Sequence, residues 1–422
     1  MTGITRRALL ITGALLGGGL AIGVVFCPDR LARRADGGEG ASPVTWLRIL
    51  PDDTVIVLVP HVEMGQGTHT ALAMMLAEEL DAEWDRVRVE QAPAESMFAT
   101  GDVVRVYLLG QRTFAPMLAR RLDMAACQVA ALMDMQITGG SLSVRSTGQF
   151  GMRRAGAAAR EMLVAAAAGR WRVPAEECRV ERGRVAHAAS GRSAGFGALA
   201  AAAAGLPPPR APQLKARSEY RLCGGSPALV HASPAVRGSL VYACDVPVPG
   251  ALHAAVLHVP VFGGGVAEVD DAAVARHAGI RDIARIPGAV VVTADSYWRA
   301  ERALADLRVR YTPPPRPVPD SAGLEAMFDE LLSSGRVRVD YERGSAIPAA
   351  DGRGLVHECT YAVPFLAHAT MEPMNCTAWW HDGRLELWVG TQDPLGTRAV
   401  AARIAGLPEE SVTVHARPLG GG

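Results

Sequence analysis

Between Trp46 and Glu90 the hydrophobic period changes twice, and this restricts the start of the chain to a mixed α/β unit. Trp46-Leu47-Arg48-Ile49-Leu50 and Thr54–Val59 flank a Pro51-Asp52-Asp53 turn, the pattern of a β-hairpin. After the loop His61–Gly67, Leu72, Leu76 and Leu80 recur at every fourth position with Ala71, Met74 and Met75 beside them. That spacing predicts a helix, capped by Thr68 or Thr70. Arg86–Glu90 alternates again and reads as a strand.

Further along, Thr138-Gly139-Gly140-Ser141 is a second glycine-bearing loop, ahead of a long Ala-rich helix predicted over 148–168. Val180–His187, broken at Gly183, suits a hairpin, and 198–204 suits a short helix that Leu206-Pro207-Pro208-Pro209 ends. A new unit is expected near Ser233. Its expected strands are 240–242, 252–257, 288–293 and 308–311, with a helix start at 269–275 and a helix at 296–307. Pro313-Pro314-Pro315, Pro317 and Pro319 mark its boundary. Strands at 354–361, 377–380 and 385–389, a helix over 397–404 and a strand at 412–415 follow, the last running straight into Gly420-Gly421-Gly422. A strand entering a triple glycine leads one to expect a loop and a further element, so the sheet reads as unfinished.

The N-terminus has the pattern of a targeting segment. Arg6-Arg7 precedes an uncharged run from Ala8 to Phe26, and no acidic residue occurs before Asp29. Thr5-Arg6-Arg7-Ala8-Leu9-Leu10 resembles a twin-arginine signal, which implies a periplasmic protein exported after folding. The run of about 19 residues approaches the ~20 that span a bilayer, so retention as an inner-membrane anchor through 8–26 is a second expectation.

Charge and cysteine usage exclude several classes. Lys+Arg and Asp+Glu are both 43 in 422 residues, which gives no electrostatic case for a nucleic-acid partner. The seven cysteines contain no Cys-x-x-Cys pair, so neither a zinc ribbon nor an iron–sulfur ligand set is present. There is no His-Glu-x-x-His and no Gly-x-Ser-x-Gly elbow. His368 and Glu372 lie four apart, but Pro364 and Pro373 bracket them, which favours structural roles and leaves no metal ligand assigned.

Taken singly, the glycine loops are weak signals. Met64-Gly65-Gln66-Gly67 sits between a strand and a helix N-terminus, where free N–H groups and the helix dipole suit an anion. No lysine follows it as in a Walker loop, and taken alone it is better explained as a plain tight turn. Thr391-Gln392-Asp393-Pro394 places a polar amide at the carboxyl end of a strand.

In combination the segments are specific. Glu63–Thr70, Thr138–Ser141, Met371-Glu372-Pro373-Met374-Asn375, Thr391–Pro394 and Gly420-Gly421-Gly422, in that order behind a twin-arginine-like segment, resemble the molybdenum hydroxylase family. The order is similar to that of the branch containing the isoquinoline 1-oxidoreductase β-subunits, over nearly the whole chain from Trp46.

The resemblance implies an α+β, multi-domain chain. It divides into a signal or anchor (1–27), a linker (28–43), a molybdopterin-binding-type α/β unit (44–210) and a linker (211–232). An α/β hammerhead-like domain (233–312), a Pro-rich linker with a short helix (313–335) and an incomplete molybdopterin-binding domain (336–422) complete it. The implied cofactor is molybdenum–molybdopterin cytosine dinucleotide, contacted by Gly65, Gln66 and Gly67, by Thr138, Gly139 and Gly140, and by Gly420, Gly421 and Gly422. Gln392 matches the family glutamine that orients an oxygen ligand of the metal. The implied reaction is oxidation of aldehydes or N-heteroaromatics with water-derived oxygen, with electrons leaving through a small [2Fe-2S] subunit. The family's catalytic glutamate falls beyond Gly422, so the chain alone is expected to be inactive, or completed by a second polypeptide. The alternatives are a non-catalytic anchored subunit that keeps the fold, and an unrelated exported enzyme.

Overall fold

The computed structural model describes residues 41–421 except 45, 111, 113, 273, 336–337, 340–342, 345–356 and 358. The export segment, the anchor run 8–26, Gly422 and half of the strand expected at 354–361 lie outside the described residues, and the described positions 357 and 359–361 form no strand. The chain divides into two compact units, one built from the chain up to Val246 together with the chain from Ala367, the other Pro247–Leu366.

The first unit opens as its sequence period predicts. Strands β1 (Ala41–Val44), β2 (Leu47–Ile49), β3 (Val55–Val59) and β4 (Val87–Gln91) form one sheet in that order. β2 and β3 are antiparallel, pairing Leu47 with Val57. β3 and β4 are parallel, and the crossover between them carries helix α1 (Thr68–Leu80). Every residue of β3 is buried, as expected for a central strand covered on both faces. Leu72, Leu76 and Leu80 are fully buried, each contributing about 1.5–3 kcal/mol.

Two helices, α2 (Gly101–Leu109) and α3 (Pro116–Leu132), fill a stretch for which the sequence suggests no element. The Ala-rich helix starts later than expected. A π-helical turn over Val144–Met152 leads into α4 (Arg153–Trp171), whose Ala155, Ala158, Ala159, Met162 and Leu163 join the core around α1. The small side chains let α4 approach closely, and at Gly151 even a methyl group would run into the Trp46 ring. A three-stranded sheet of β5 (Cys178–Glu181), β6 (Arg184–His187) and β7 (Arg192–Gly195) adds one strand to the expected hairpin. Helices α5 (Gly197–Ala204) and α6 (Ala232–Val236) follow.

In the second unit, β8 (His253–His258), β9 (Gly265–Asp270), β10 (Ile280–Ile286), β11 (Ala289–Ala294), α7 (Tyr297–Asp306), β12 (Arg308–Thr312) and α8 (Ser321–Ser333) appear in order. Two expectations fail here. Residues 240–242, expected to open this unit, fall in the first unit and form no strand, and β8 pairs with β11, aligning Val256 with Val291. The helix start expected at 269–275 overlaps β9, where pairing of Val269 with Val309 in β12 outweighs local preference.

The chain from Ala367 adds β13 (Cys376–His381), β14 (Arg384–Val389), helix α9 (Pro394–Ala405) and β15 (Val412–Ala416) to the first unit. β14 and β15 run parallel across α9, the second strand–helix–strand crossover of the unit. Asp393 caps α9, accepting the Gly396 N–H at 3.1 Å, and Pro394 occupies the first turn. Among the described residues no helix is long and apolar enough to cross a membrane.

Candidate functional site

The loop between β3 and α1 does not present a free anion receptor. Glu63 turns back and fills it. One of its carboxylate oxygens, Oε1, accepts the Gly65 and Gly67 N–H groups, both at 2.9 Å, and the other, Oε2, accepts the His69 N–H at 3.2 Å. The helix N-terminus therefore takes its negative charge from within the chain. Neither Thr68 nor Thr70 caps α1. Gly67 holds the cap position with φ 77°, and the Thr70 hydroxyl accepts the Val230 N–H at 3.0 Å instead. Gln66 also turns inward: its Oε1 accepts the Met64 N–H at 2.7 Å and its Nε2 donates to the Val62 carbonyl at 3.0 Å. Gly65 has φ 91°, and the space where a Cβ would sit is open.

Backbone bonds draw the other glycine loops to this one. The Val62 N–H donates to the Thr138 hydroxyl at 2.9 Å, and the Thr138 N–H donates to the Gln392 carbonyl at 2.8 Å. Asp393 Oδ1 accepts the Gln136 N–H at 2.9 Å. The Leu419 N–H donates to the Glu63 carbonyl at 2.9 Å. Glu372 and Gly420 lock together, the Gly420 N–H donating to Glu372 Oε2 at 2.8 Å and the Glu372 N–H donating to the Gly420 carbonyl at 3.1 Å. A Cβ on Gly420 would collide with that of Glu372, so glycine is required by close approach. Glu372 also accepts from Asn375 Nδ2 at 3.0 Å, whereas His368 is exposed; the pair does not form a helical metal site.

A cavity of about 570 Å³ opens beside these loops. Gly65, Gly67, Gly420 and Gly421 line it, with Met64, Leu229, Met371 and Leu419 supplying apolar surface. Thr138, Gly139, Gly140, Gln66 and Gln392 are not among its lining residues. The Gln392 side chain is exposed. Glu63, Asp245 and Glu372 are among the lining residues, which include no Lys or Arg.

Sequence reasoning missed the histidines behind this wall. His61 sits between the Ile137 carbonyl and the Thr147 hydroxyl, 3.1 and 2.8 Å away. His69 Nε2 donates to the His61 carbonyl at 2.8 Å, and His69 Nδ1 meets His231 Nε2 at 2.8 Å. Burial pushes both His69 and His231 below the ordinary histidine range, His69 also being lowered by its neighbour. His69 lies within the Glu63–Thr70 segment, but its partner is 162 residues away, which no spacing rule anticipates.

A pterin cofactor fits these residues in part. The glycine edge is open to the cavity at Gly65, where a Cβ would stand in free space, and Met64, Met371 and Leu419 line the cavity with apolar surface. Open backbone beside apolar surface suits a flat heterocycle. The acidic lining does not suit a phosphate, so the cavity matches the ring portion of such a group rather than its charged end.

Two family models described as "Molybdopterin cofactor-binding domain" match the chain, one over residues 12–102 and the other over residues 332–422. The β-subunit of isoquinoline 1-oxidoreductase from Brevundimonas diminuta is 32% identical over 463 residues, covering 99% of this chain and 55% of that protein. The membrane-bound aldehyde dehydrogenase [pyrroloquinoline-quinone] of Gluconacetobacter polyoxogenes is 28% identical, covering 99% of this chain and 52% of that protein. The B-subunit of nicotinate dehydrogenase from Pseudomonas putida is 26% identical, covering 87% of this chain and 29% of that protein. The chain thus spans about half the length, or less, of the curated relatives it matches. By class it is a chain of mixed α/β architecture with two stretches that match molybdopterin cofactor-binding domains. The two domain matches and the 32% identity over 99% of the chain support its placement in the molybdenum hydroxylase family.

Proposed function

We propose that this chain is the N-terminal part of an exported molybdenum hydroxylase large subunit. The observation that carries the reading is the convergence of the glycine loops. Thr138 is tied to Gln392, Val62 to Thr138, Leu419 to Glu63 and Gly420 to Glu372, although these segments span the length of the chain.

Gly65, Gly67, Gly420 and Gly421 would present backbone to the cofactor's ring system, with Met64 and Met371 covering its faces. Gln392, exposed and at the carboxyl end of β14, would orient a ligand or substrate through one amide. Gln66 would act indirectly, since its amide stiffens the loop. The chemistry a molybdenum–molybdopterin cytosine dinucleotide supplies is oxidation of an aldehyde or N-heteroaromatic carbon with water-derived oxygen, electrons passing to a small [2Fe-2S] subunit. No proton-transferring base is assigned to this chain. Glu63 and Glu372 hold backbone N–H groups of the glycine loops, and a base must be free to reach its proton. The chain alone is therefore expected to be inactive, with the base supplied by residues beyond Gly422 or by a second polypeptide. The twin-arginine-like segment directs the assembly to the periplasm, with or without anchoring through residues 8–26.

The test is to purify the 422-residue chain alone, with an iron–sulfur subunit, and with both that subunit and a family C-terminal half. Molybdenum, pterin and substrate-dependent dye reduction are then measured. Activity confined to the three-part assembly is expected. Dye reduction by the chain with the iron–sulfur subunit only would refute inactivity, and an assembly free of molybdenum and pterin would refute the cofactor reading.

A further inference from the structure

We propose that Glu63, His69 and His231 form a site for one divalent transition-metal ion of the zinc class, distinct from the pterin cofactor and not dependent on it. One ligand atom from each residue lies within 4.8 Å of the others. Glu63 and His69 are buried and His231 is half-buried, so this is not a chance cluster of surface groups.

The ring orientations suit ligation. His69 gives its Nε2 proton to the His61 carbonyl, which leaves the Nδ1 lone pair directed at His231. A metal-bound imidazole typically donates its other N–H to such a carbonyl. His61 is in turn fixed by Ile137 and Thr147, so the support extends a further layer. The position of His231 is built rather than fortuitous: Val230 is bonded to Thr70 on α1, and the Leu229 side chain lies within 3.2 Å of where a Gly67 Cβ would be. Glu63 accepts three N–H bonds, and a carboxylate has about four lone-pair directions, so one remains for a cation.

The fit requires one small movement. The facing nitrogens are 2.8 Å apart, the spacing of a hydrogen bond between them. Two nitrogens at about 2.0–2.1 Å from a tetrahedral ion are about 3.3 Å apart, so His231 must retreat by about 0.5 Å and shift its proton to Nδ1. Two imidazoles and one carboxylate leave a fourth position. Glu63 and His231 both line the cavity, so that position is accessible from it to water or a small ligand. Asp245 and Glu372, without Lys or Arg among the lining residues, favour a cation.

The test uses the full 422-residue chain, stripped by chelator and titrated with Zn²⁺ by calorimetry and with Co²⁺ by visible absorption. One ion per chain is expected, with the intense bands of a four-coordinate nitrogen–oxygen site. His231→Phe should weaken binding by more than the ~10–100-fold that loss of an outer-shell partner costs, with circular dichroism unchanged. His381→Gln combined with His415→Gln, which removes the histidines around Glu386, should leave binding intact. If His231→Phe fails to fold, Co²⁺-induced paramagnetic shifts of the His69 and His231 ring protons in the unaltered chain decide the matter. Absence of uptake, unchanged affinity in His231→Phe, loss in the His381/His415 control, or unshifted His69 and His231 protons would each overturn the proposal.

Discussion

Replacing Glu63 by glutamine tests whether this carboxylate organises the glycine loop. Glutamine keeps one acceptor oxygen, which can serve the Gly65 and Gly67 amides that share Oε1. It presents an NH2 where Oε2 accepts the His69 N–H. Two charge-assisted bonds become neutral, at about 1 kcal/mol each, and one buried donor loses its acceptor, at about 1–3 kcal/mol. The local penalty is about 3 kcal/mol, or about 150-fold in the opening equilibrium at 1.4 kcal/mol per factor of ten. Hydrogen exchange read residue by residue should show the amides of Gly65, Gly67 and His69 exchanging about 100-fold faster in Glu63→Gln. Amides in the middle of α1 should change much less. If the three amides exchange within about threefold of the unaltered protein, Glu63 does not hold the loop and the account of a filled anion receptor is wrong.

Other outcomes follow from packing, capping and charge. Gly151→Ala should destabilise the first unit by about 1–3 kcal/mol, because its methyl group meets the Trp46 ring, whereas Gly169→Ala, in α4 with open space, should stabilise it by about 0.5–1 kcal/mol; thermal melts separate the two. Asp393→Ala should cost about 2 kcal/mol, since it removes both the α9 cap and the acceptor for Gln136, and limited proteolysis should cleave earlier near 134–140. Around Glu386, the hydrogen bond from His415 and then that from His381 hold the carboxyl below the ordinary 4.5, and the bond to Glu386 raises His381 above the ordinary 6.5. The Glu386 contribution is present above pH 4.5 and is lost as pH falls through its lowered value. The His381 contribution is complete below pH 6.5 and is lost as pH rises through its raised value. Stability of the β13–β14–β15 sheet should therefore peak between those values, and Glu386→Gln should flatten the profile in melts taken across pH.

What the sequence by itself determined is local. The switch from period two to period four fixed the β2–β3 hairpin and α1, because alternation and the Leu72-Leu76-Leu80 stripe each satisfy only one backbone geometry. The ordered set of glycine loops, read together, was enough to suggest the family. Register and identity of partners were not legible: residues 240–242 carry strand-like composition yet find no neighbour, and Val269 is drawn into β9 by Val309 in β12. The role of Glu63 was equally hidden. A glycine loop before a helix reads as a receptor for any anion, and only the folded chain shows that its own carboxylate is the anion. The pairing of His69 with His231 depended on tertiary structure for the same reason: a side-chain hydrogen bond across 162 residues leaves no period in the sequence. Periodicity records which face of an element is buried. What meets that face is decided by long-range closure, and there the convergence of Gly65, Gly67, Gly420 and Gly421 on one cavity was settled.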